Sequence, residues 1–335
     1  MHHIVRSALI LVTVLGLCPF ATAWHQAGHQ IVAAIAYRQL TPGDRATLVA
    51  ILKNHPRFDE DFDSPMSDEL DSSREVDVND WLLQRAAIWP DLARSFKPAE
   101  KMKYHHGDWH FINQPCWLNP GDQEALKDAL SVNLELTAPD VPQRKMNVIQ
   151  TIRLARRMLA RPDADKADKA VMLAWLIHTV GDVHQPLHAA ALYSQHLFPK
   201  NDRGGNAIPT EHNGNLHALW DDLPGGRIKF NTVRGRAAAI LADNRLKSLG
   251  EHAADQLDET VWMDESRTYA ISTAYDDEVL TPLREAEDAD DTGELEPLEL
   301  SDEYMKAAGK LASQRLAEAG FRLNRILKEV AEANR

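Results

Sequence analysis

The chain has 335 residues, of which 44% are hydrophobic and 26% are charged. This composition is typical of globular proteins and excludes a disordered chain, a collagen or a coiled-coil rod. The net charge of −13, from 37 basic and 50 acidic side chains, argues against a general basic surface for nucleic acid. A phosphate-binding site whose positive charge comes from metal ions stays open, and the 15 histidines supply potential ligands for such ions.

The N-terminal segment has the three parts of a secretory signal peptide. A short start with one basic residue is followed by the apolar run Ala8–Leu17 and by Ala-Thr-Ala at residues 21–23. The apolar run is about half the length that a membrane span requires, roughly 20 residues. We therefore expect cleavage after residue 23, secretion or export to the periplasm, and no membrane insertion of the mature chain. Residues 1–23 are the predicted signal peptide and residues 24–335 one domain.

The chain has two cysteines, Cys18 and Cys116. Cleavage of the signal peptide removes the first, so the mature chain would have one thiol and no intramolecular disulfide. An exported protein without disulfides requires another source of stability, which here is a large core or bound metal.

Helical periodicity covers most of the mature chain. We predict helices over residues 26–40, 43–53, 77–93 (with a break at residue 90 as an option), 122–136, 143–159, 166–188, 232–246, 254–275 and 301–333. The segments between them include predicted loops over residues 54–73, 104–120 and 192–216, and an acidic surface linker over residues 285–296. Strand patterns of period two are absent, so the predicted fold class is all-α, with little or no strand. The helix over residues 166–188 is the most apolar and is predicted to be central.

The strongest chemical signal is a pair of His/Asp motifs. His178 and Asp182 are four residues apart and share one face of the central helix, and His188 follows closely. His217 and Asp221 repeat the same spacing further along the chain. A single His/Asp pair is usually a hydrogen bond on a helix surface. Two pairs in apolar surroundings instead indicate a metal site, because burying these groups without partners is costly and such ligand sets suit zinc.

Other segments add candidate ligands. Asp91 and Arg94 stand three apart at a helix end, and His110 stands between two aromatic residues. Each of these alone is more typical of core packing or of a surface ion pair. Signal cleavage would also give Trp24 a free α-amine, which can chelate a metal together with its own carbonyl oxygen, and His29 follows soon after. The alternative is a terminus that frays.

Together these motifs resemble the S1/P1 nuclease family. The resemblance rests on Trp24 with His29, on the Trp-Pro-Asp-Leu-Ala-Arg sequence at residues 89–94, on Trp-His-Phe at 109–111, and on the two His/Asp motifs. It implies an all-helical, secreted, zinc-dependent nuclease or 3′-nucleotidase, on a fold shared with bacterial zinc-dependent phospholipase C. The motifs span about 200 residues, up to Asp221.

The resemblance implies three zinc ions in one cleft. It assigns Asp91, His110, His178 and Asp182 to the first ion, His188, His217 and Asp221 to the second, and Trp24 and His29 to the third, with Asp182 bridging the first and third. Arg94 and Asn206 match further positions at the active site. His184 matches no ligand and is interpreted as a residue that either supports a ligand or packs in the core.

The implied reaction is hydrolysis of single-stranded DNA and RNA to 5′-phosphorylated products by a zinc-activated hydroxide, oriented by Asp91 and assisted by Arg94. Nucleotides are further expected substrates, and we expect a monomer without a stable protein partner. Two alternatives remain at this point: a phospholipase C on the same scaffold, and an exported zinc-binding protein without turnover. Some ligand positions of the lipases are reported to be glutamate. The ligand position at 221 is aspartate in this chain, which favours the nuclease. The residue that stacks on the bases is not assigned.

Overall fold

Helices form nearly all of the secondary structure, which confirms the predicted all-α class. The computed structural model describes residues 24–70, 75–289, 293 and 295–335, so the predicted signal peptide lies outside the described residues. The α-helices of the described chain are α1 (Gln26–Arg38), α2 (Pro42–Leu52), α3 (Ser64–Glu69), α4 (Glu75–Leu92), α5 (Pro98–Tyr104), α6 (Asp122–Leu126), α7 (Val148–Ala160), α8 (Lys166–Val183), α9 (Pro186–Ala189), α10 (Leu216–Asp222), α11 (Phe230–Ala242), α12 (Asn244–Ala253), α13 (Glu259–Tyr269), α14 (Asp277–Asp288) and α15 (Asp302–Ala333).

Strands are few and short. β1 (Gln114–Trp117) pairs in parallel with β2 (Ala190–Tyr193), and β3 (Pro209–Thr210) pairs antiparallel with β4 (Gly214–Asn215). Short 3₁₀ turns cover Ala93–Ser95 and Gly107–His110, and π-helical turns cover Asp59–Asp63 and Ala270–Ala274. None of the helices in this part of the chain combines the length and hydropathy needed to cross a bilayer.

Helix α8 is the centre of the core, as its apolar sequence predicts. It packs against α7, α4, α2, α1 and α15, and most of its residues are buried. The Asp165 carboxylate caps its N-terminus by accepting from the amides of Ala167 and Asp168. The helix ends at Val183, and Pro186 starts α9 as its first residue, where a proline is tolerated. The segment predicted as one helix over residues 166–188 therefore forms two helices. As a result, Asp182 at the end of α8 and His188 in α9 approach the site from different directions.

Two buried arginines of α15 hold the C-terminal end of α8. Arg315 Nε donates to the carbonyl oxygen of His184 at 3.1 Å, and Arg322 Nη1 lies 2.9 Å from His184 Nε2. Both guanidinium groups also form ion pairs with Glu265, at 2.9 and 2.6 Å. The last carbonyls of a helix lack partners within the helix and carry partial negative charge, so buried cations stabilise this end.

The prediction of a helix over residues 122–136 was wrong after Leu126, where α6 ends. Residues 127–147 form a long irregular loop, held by the side-chain amides of Asn133 and Asn147. Asn133 Nδ2 donates to the Lys145 carbonyl at 2.9 Å, and Asn147 Nδ2 donates to the carbonyls of Asn133 and Glu135 at 3.0 and 2.9 Å. Asparagine amides that bond to backbone groups compete with helix formation, and that competition is absent from the hydrophobic periodicity.

Other boundaries differ for similar local reasons. Part of the predicted loop over residues 54–73 is helical, because Phe62 is fully buried and fixes the turn before α3. The predicted helix over 232–246 divides at Asp243, whose carboxylate caps α12. The helix predicted from residue 254 begins only at Glu259. Helix α14 extends through the first four residues of the predicted acidic linker, where Glu287 is buried and accepts two backbone amides.

Candidate metal centre and cleft

Asp182, in the last turn of α8, lies at the centre of a buried histidine cluster. Its Oδ2 is 3.1 Å from His110 Nδ1 and 3.3 Å from His178 Nε2, and its Oδ1 is 3.3 Å from His29 Nε2. The two nitrogens His178 Nε2 and His110 Nδ1 are themselves 2.9 Å apart. Four side chains from α1, α8 and the turn at Gly107–His110 thus converge on one point, and each is at most 4% exposed.

The spacing of these atoms fits ligands of a common ion. In a tetrahedral zinc site with bonds of about 2.0–2.1 Å, neighbouring ligand atoms are roughly 3.3 Å apart. In a second group, His217 Nε2 lies 3.3 Å from Asp221 Oδ2, which is the same spacing. The His188 ring lies beside them, with its centroid 4.9 Å from that of the His217 ring. Three groups have ligand atoms within 4.8 Å of one another: His29, Asp91 and His178; His110, His178 and Asp182; and His188, His217 and Asp221.

Backbone carbonyls orient three of the imidazoles. Because a carbonyl oxygen only accepts, each contacting Nδ1 carries the proton and each Nε2 has a free lone pair. This arrangement is typical of metal-binding histidines, whose second nitrogen is held by a neighbouring acceptor. The contacts join His178 Nδ1 to Ala87 at 2.7 Å, His188 Nδ1 to His110 at 2.8 Å, and His217 Nδ1 to Gly204 at 2.6 Å.

Unpartnered buried atoms provide the test of whether a metal fits. Leaving a buried polar atom without a hydrogen bond costs about 1–3 kcal/mol, so native proteins rarely contain a group of them. Here they cluster on the proposed ligands, and the mixed nitrogen and oxygen donors suit zinc. Within the described chain, no hydrogen bond reaches His29 Nε2, His188 Nε2, His217 Nε2, Asp182 Oδ1 or Asp221 Oδ2.

Burial controls the protonation of most of the cluster; at His217 the effect of burial is outweighed by Asp221, which raises the pKa of this imidazole. Burial lowers the pKa of His178 to about 3 and that of His188 to about 4, which keeps both imidazoles neutral. Burial, reinforced by the neighbouring carboxylates of Asp91 and Asp221, raises the pKa of Asp182 well above its usual range. Neutral imidazoles are the metal-binding form, and a divalent ion offsets the repulsion among the crowded carboxylates.

The segment that starts at Trp24 packs against the cluster. The Trp24 indole Nε1 donates to the carbonyl of Gly181 at 3.1 Å, and the amide of His25 donates to the carbonyl of Asp221 at 3.0 Å. His29 lies directly against Gly181, where a Cβ would come within 2.6 Å of His29 Nδ1. A side chain at position 181 would therefore push His29 away from Asp182.

Asp91 and Arg94 lie beside the cluster at the end of α4, which continues through Pro90 without a break. Arg94 Nη2 contacts Asp91 Oδ1 at 3.2 Å. Burial, together with Asp221, raises the pKa of Asp91 to about 7, although the charge of Arg94 opposes the shift. His184 lies outside the cluster, and its Nε2 contacts Arg322 Nη1 at 2.9 Å.

A cleft of about 380 Å³ opens beside the histidines. His110, His188 and His217 line it, together with the basic side chains of Arg94, Lys101 and Arg203. Asp108 is the acidic side chain among the lining residues, so basic groups outnumber acidic ones and the cleft is cationic although the net charge of the chain is strongly negative. The partly exposed ring of Phe111 also forms part of its wall. Sequence reasoning missed Phe111, Lys101 and Arg203, although Phe111 is next to His110 in the Trp-His-Phe motif.

The loop that bears Asn206 also positions His217. Asp202 accepts from the amides of Gly204 and Gly205 at 2.9 and 2.7 Å, and the Gly204 carbonyl accepts from His217. Arg203 adopts a positive φ of 60°, which is uncommon for a residue with a side chain. The Asn206 amide donates to the Arg203 carbonyl at 2.7 Å, and both side chains line the cleft.

The helical fold brings together buried His/Asp groups that could hold metal ions. The chain matches the model of the S1/P1 nuclease family over residues 24–332, and it belongs to that family. It is 25% identical to Endonuclease 2 of Arabidopsis thaliana, over 98% of this chain and 97% of that protein. It is 26% identical to Nuclease S1 of Aspergillus oryzae, over 52% of this chain and 58% of that protein. The family makes this chain a nuclease, a hydrolase of phosphodiester bonds, and confirms the resemblance.

Proposed function

We propose that this chain is an exported, zinc-dependent nuclease that hydrolyses single-stranded DNA and RNA to 5′-phosphorylated products. The proposal rests on one observation: buried nitrogen and oxygen atoms that lack hydrogen-bond partners lie at the distances expected between zinc ligands, beside a cationic cleft. The family match begins at Trp24, the residue that the predicted cleavage would expose. This start supports the proposed processing, secretion and third metal site.

Each of the three His/Asp groups would hold or share an ion. When bound, zinc supplies positive charge for the scissile phosphate and lowers the pKa of water to about 7. The proposed ligands are Asp91, His110, His178 and Asp182 for the first ion, His188, His217 and Asp221 for the second, and Trp24, His29 and Asp182 for the third.

The remaining cleft residues would position the substrate. Asp91 would orient the attacking water and accept its proton, while Arg94 holds one oxygen of this carboxylate. Arg94 also lines the cleft, where its charge would stabilise the phosphate as negative charge develops. The amide of Asn206 has a second hydrogen besides the one that bonds Arg203, and this hydrogen can reach a phosphate oxygen.

Phe111 supports the preference for single strands. Its ring is partly exposed in the wall of the cleft, next to a metal-ligating histidine. Unpaired bases can stack on such a ring, at about 1–3 kcal/mol per base and with little sequence preference. Bases of a duplex are already stacked and paired, so they cannot reach it.

A side-by-side assay tests the proposed function. The processed protein should hydrolyse single-stranded DNA and RNA, release 5′-phosphorylated nucleotides, and act at least tenfold more slowly on duplex DNA. Phosphatidylcholine should not be hydrolysed, since the family match favours the nuclease over the lipase. Release of diacylglycerol with inert nucleic acid would overturn the proposal. Zinc binding without any turnover would support the non-enzymatic alternative.

Extending the mature terminus tests the role of Trp24. One additional alanine before Trp24 converts its α-amine into an amide, which cannot ligate zinc. We expect loss of one of three zinc ions and at least a hundredfold lower kcat, measured by metal analysis and by hydrolysis of single-stranded DNA. The protein that begins at Trp24, prepared by the same procedure, is the control. Equal zinc content and activity in the two proteins would refute ligation by the amine.

A further inference from the structure

A second cavity continues the catalytic cleft beyond Phe111. Its volume is about 430 Å³, within the size range of ligand pockets. Asp108, Phe111 and Asn113 line both cavities, so the two cavities adjoin at these residues. We refer to this second cavity as the amide groove, because asparagine side chains form much of its wall. The other lining residues include Ser131, Asn133, Lys145, Met146, Asn147 and Asn201.

The amide groove is built by the long loop after α6. Loops of this length without secondary structure are uncommon in compact domains and are often functional. This one is fixed in place, since the amide of Asn133 bonds Lys145 and Gln150, and the amide of Asn147 bonds back to residues 133 and 135. The wall is therefore preorganised, and the buried residues Ile112 and Met146 give it an apolar floor.

Three polar side chains in the amide groove have hydrogen-bonding capacity to spare. Asn113, Ser131 and Lys145 make no side-chain hydrogen bond or ion pair with any other residue of the described chain. By contrast, Asn133 and Asn147 use their amides to hold the loop. An uncommitted amide and hydroxyl can bond to a base edge or a sugar, and one exposed ammonium can pair with one phosphate.

We propose that the amide groove binds the next nucleotide of the strand, on the side of the Phe111-bound nucleoside that faces away from the scissile phosphate. This inference rests on the proposed nuclease function. Lys145 would pair with the intervening phosphate, and Asn113 and Ser131 would contact the base or sugar. The amide groove therefore contributes to the binding of substrates with three or more nucleotides. A dinucleotide occupies the cleft and does not reach the amide groove.

The test compares chain lengths. For the zinc-loaded enzyme we measure kcat/KM on oligothymidylates of two, three, four and eight nucleotides. The wild type should gain at least tenfold between two nucleotides and eight. Ser131→Trp, which fills the amide groove from its exposed rim, should remove most of this gain while leaving the dinucleotide value within about threefold. A variant that hydrolyses the octamer as well as the wild type would overturn the proposal, and so would equal losses on both substrates.

A second variant separates charge from shape. Lys145→Ala should lower the slope of log KM against log salt for the octamer by about 0.7, the value for one phosphate contact on a single strand. Arg144→Ala is the matched control, because Arg144 is the exposed neighbour and does not line the groove. Equal slopes for wild type and Lys145→Ala would contradict the phosphate contact. A wild type inactive on every oligonucleotide would instead refute the nuclease function itself.

Discussion

Replacing Asp182 by asparagine should reduce kcat/KM on single-stranded DNA by at least a thousandfold. Asp182 contacts His29 through one carboxylate oxygen and His110 and His178 through the other. An asparagine of the same shape keeps the packing but loses the negative charge and one of the two ligand oxygens. We therefore expect zinc content to fall from three ions to one, because Asp182 is a proposed ligand of both the first and the third ion. The proposed ligands of the second ion, His188, His217 and Asp221, are unchanged.

Asp222→Asn is the matched control for this variant. Asp222 follows a proposed ligand directly in sequence, is partly exposed and contacts His25 at 3.0 Å. The Asp222→Asn variant should have a zinc content and a kcat/KM within about twofold of the wild-type values. An active Asp182→Asn enzyme with three zinc ions would contradict the assigned bridge.

Replacing Arg322 by leucine should lower the free energy of unfolding by about 3 kcal/mol. This is the lower end of the cost of removing one partner of a buried ion pair, because the Glu265 side chain is 32% exposed. Arg322 is 1% exposed, and its guanidinium bonds Glu265 at 2.6 and 2.8 Å and the Ala253 carbonyl at 3.1 Å. Leucine would leave the Glu265 carboxylate with fewer partners and the end of α8 less supported. Denaturant unfolding in the presence of a chelator measures the change without a contribution from bound metal.

Arg325→Leu provides the comparison for Arg322→Leu. Arg325 is on the same helix one turn later, but it is exposed, so the expected change is within about 0.5 kcal/mol. The double variant Arg322→Leu with Glu265→Leu should lose less than the sum of the two single variants, because both partners of the same contact are then removed together. Additive losses, or equal effects at positions 322 and 325, would show that this ion pair does not support the fold.

The sequence predicts the helices well where packing decides them. The apolar stretch in α8 identifies a central helix, and the structure buries it on all sides. Predictions failed where individual polar side chains decide the backbone. Hydrogen bonds of the Asn133 and Asn147 amides hold a loop where a helix was predicted. The Asp243 carboxylate caps a new helix, α12, within a segment predicted as one helix. These are single hydrogen bonds between residues distant in sequence or at a boundary, and hydrophobic periodicity does not contain them.

The convergence of the His/Asp side chains was easier to predict than the lining of the cleft. His178 and Asp182 share a helix face, and their spacing alone indicates a shared ligand. Lys101 and Arg203 are separated by about a hundred residues of sequence, and only the fold brings them to the same cleft as Phe111. A basic or aromatic side chain has many structural uses, whereas buried His/Asp pairs have few.

Metal analysis combined with chelation tests the central claim most directly. The processed protein should contain three zinc ions per chain, and dialysis against a chelator should abolish hydrolysis of single-stranded DNA and lower the melting temperature. Zinc alone should restore both, since the buried ligand atoms would again have their partner. Undiminished hydrolysis and an unchanged melting temperature after complete removal of metal would contradict the account.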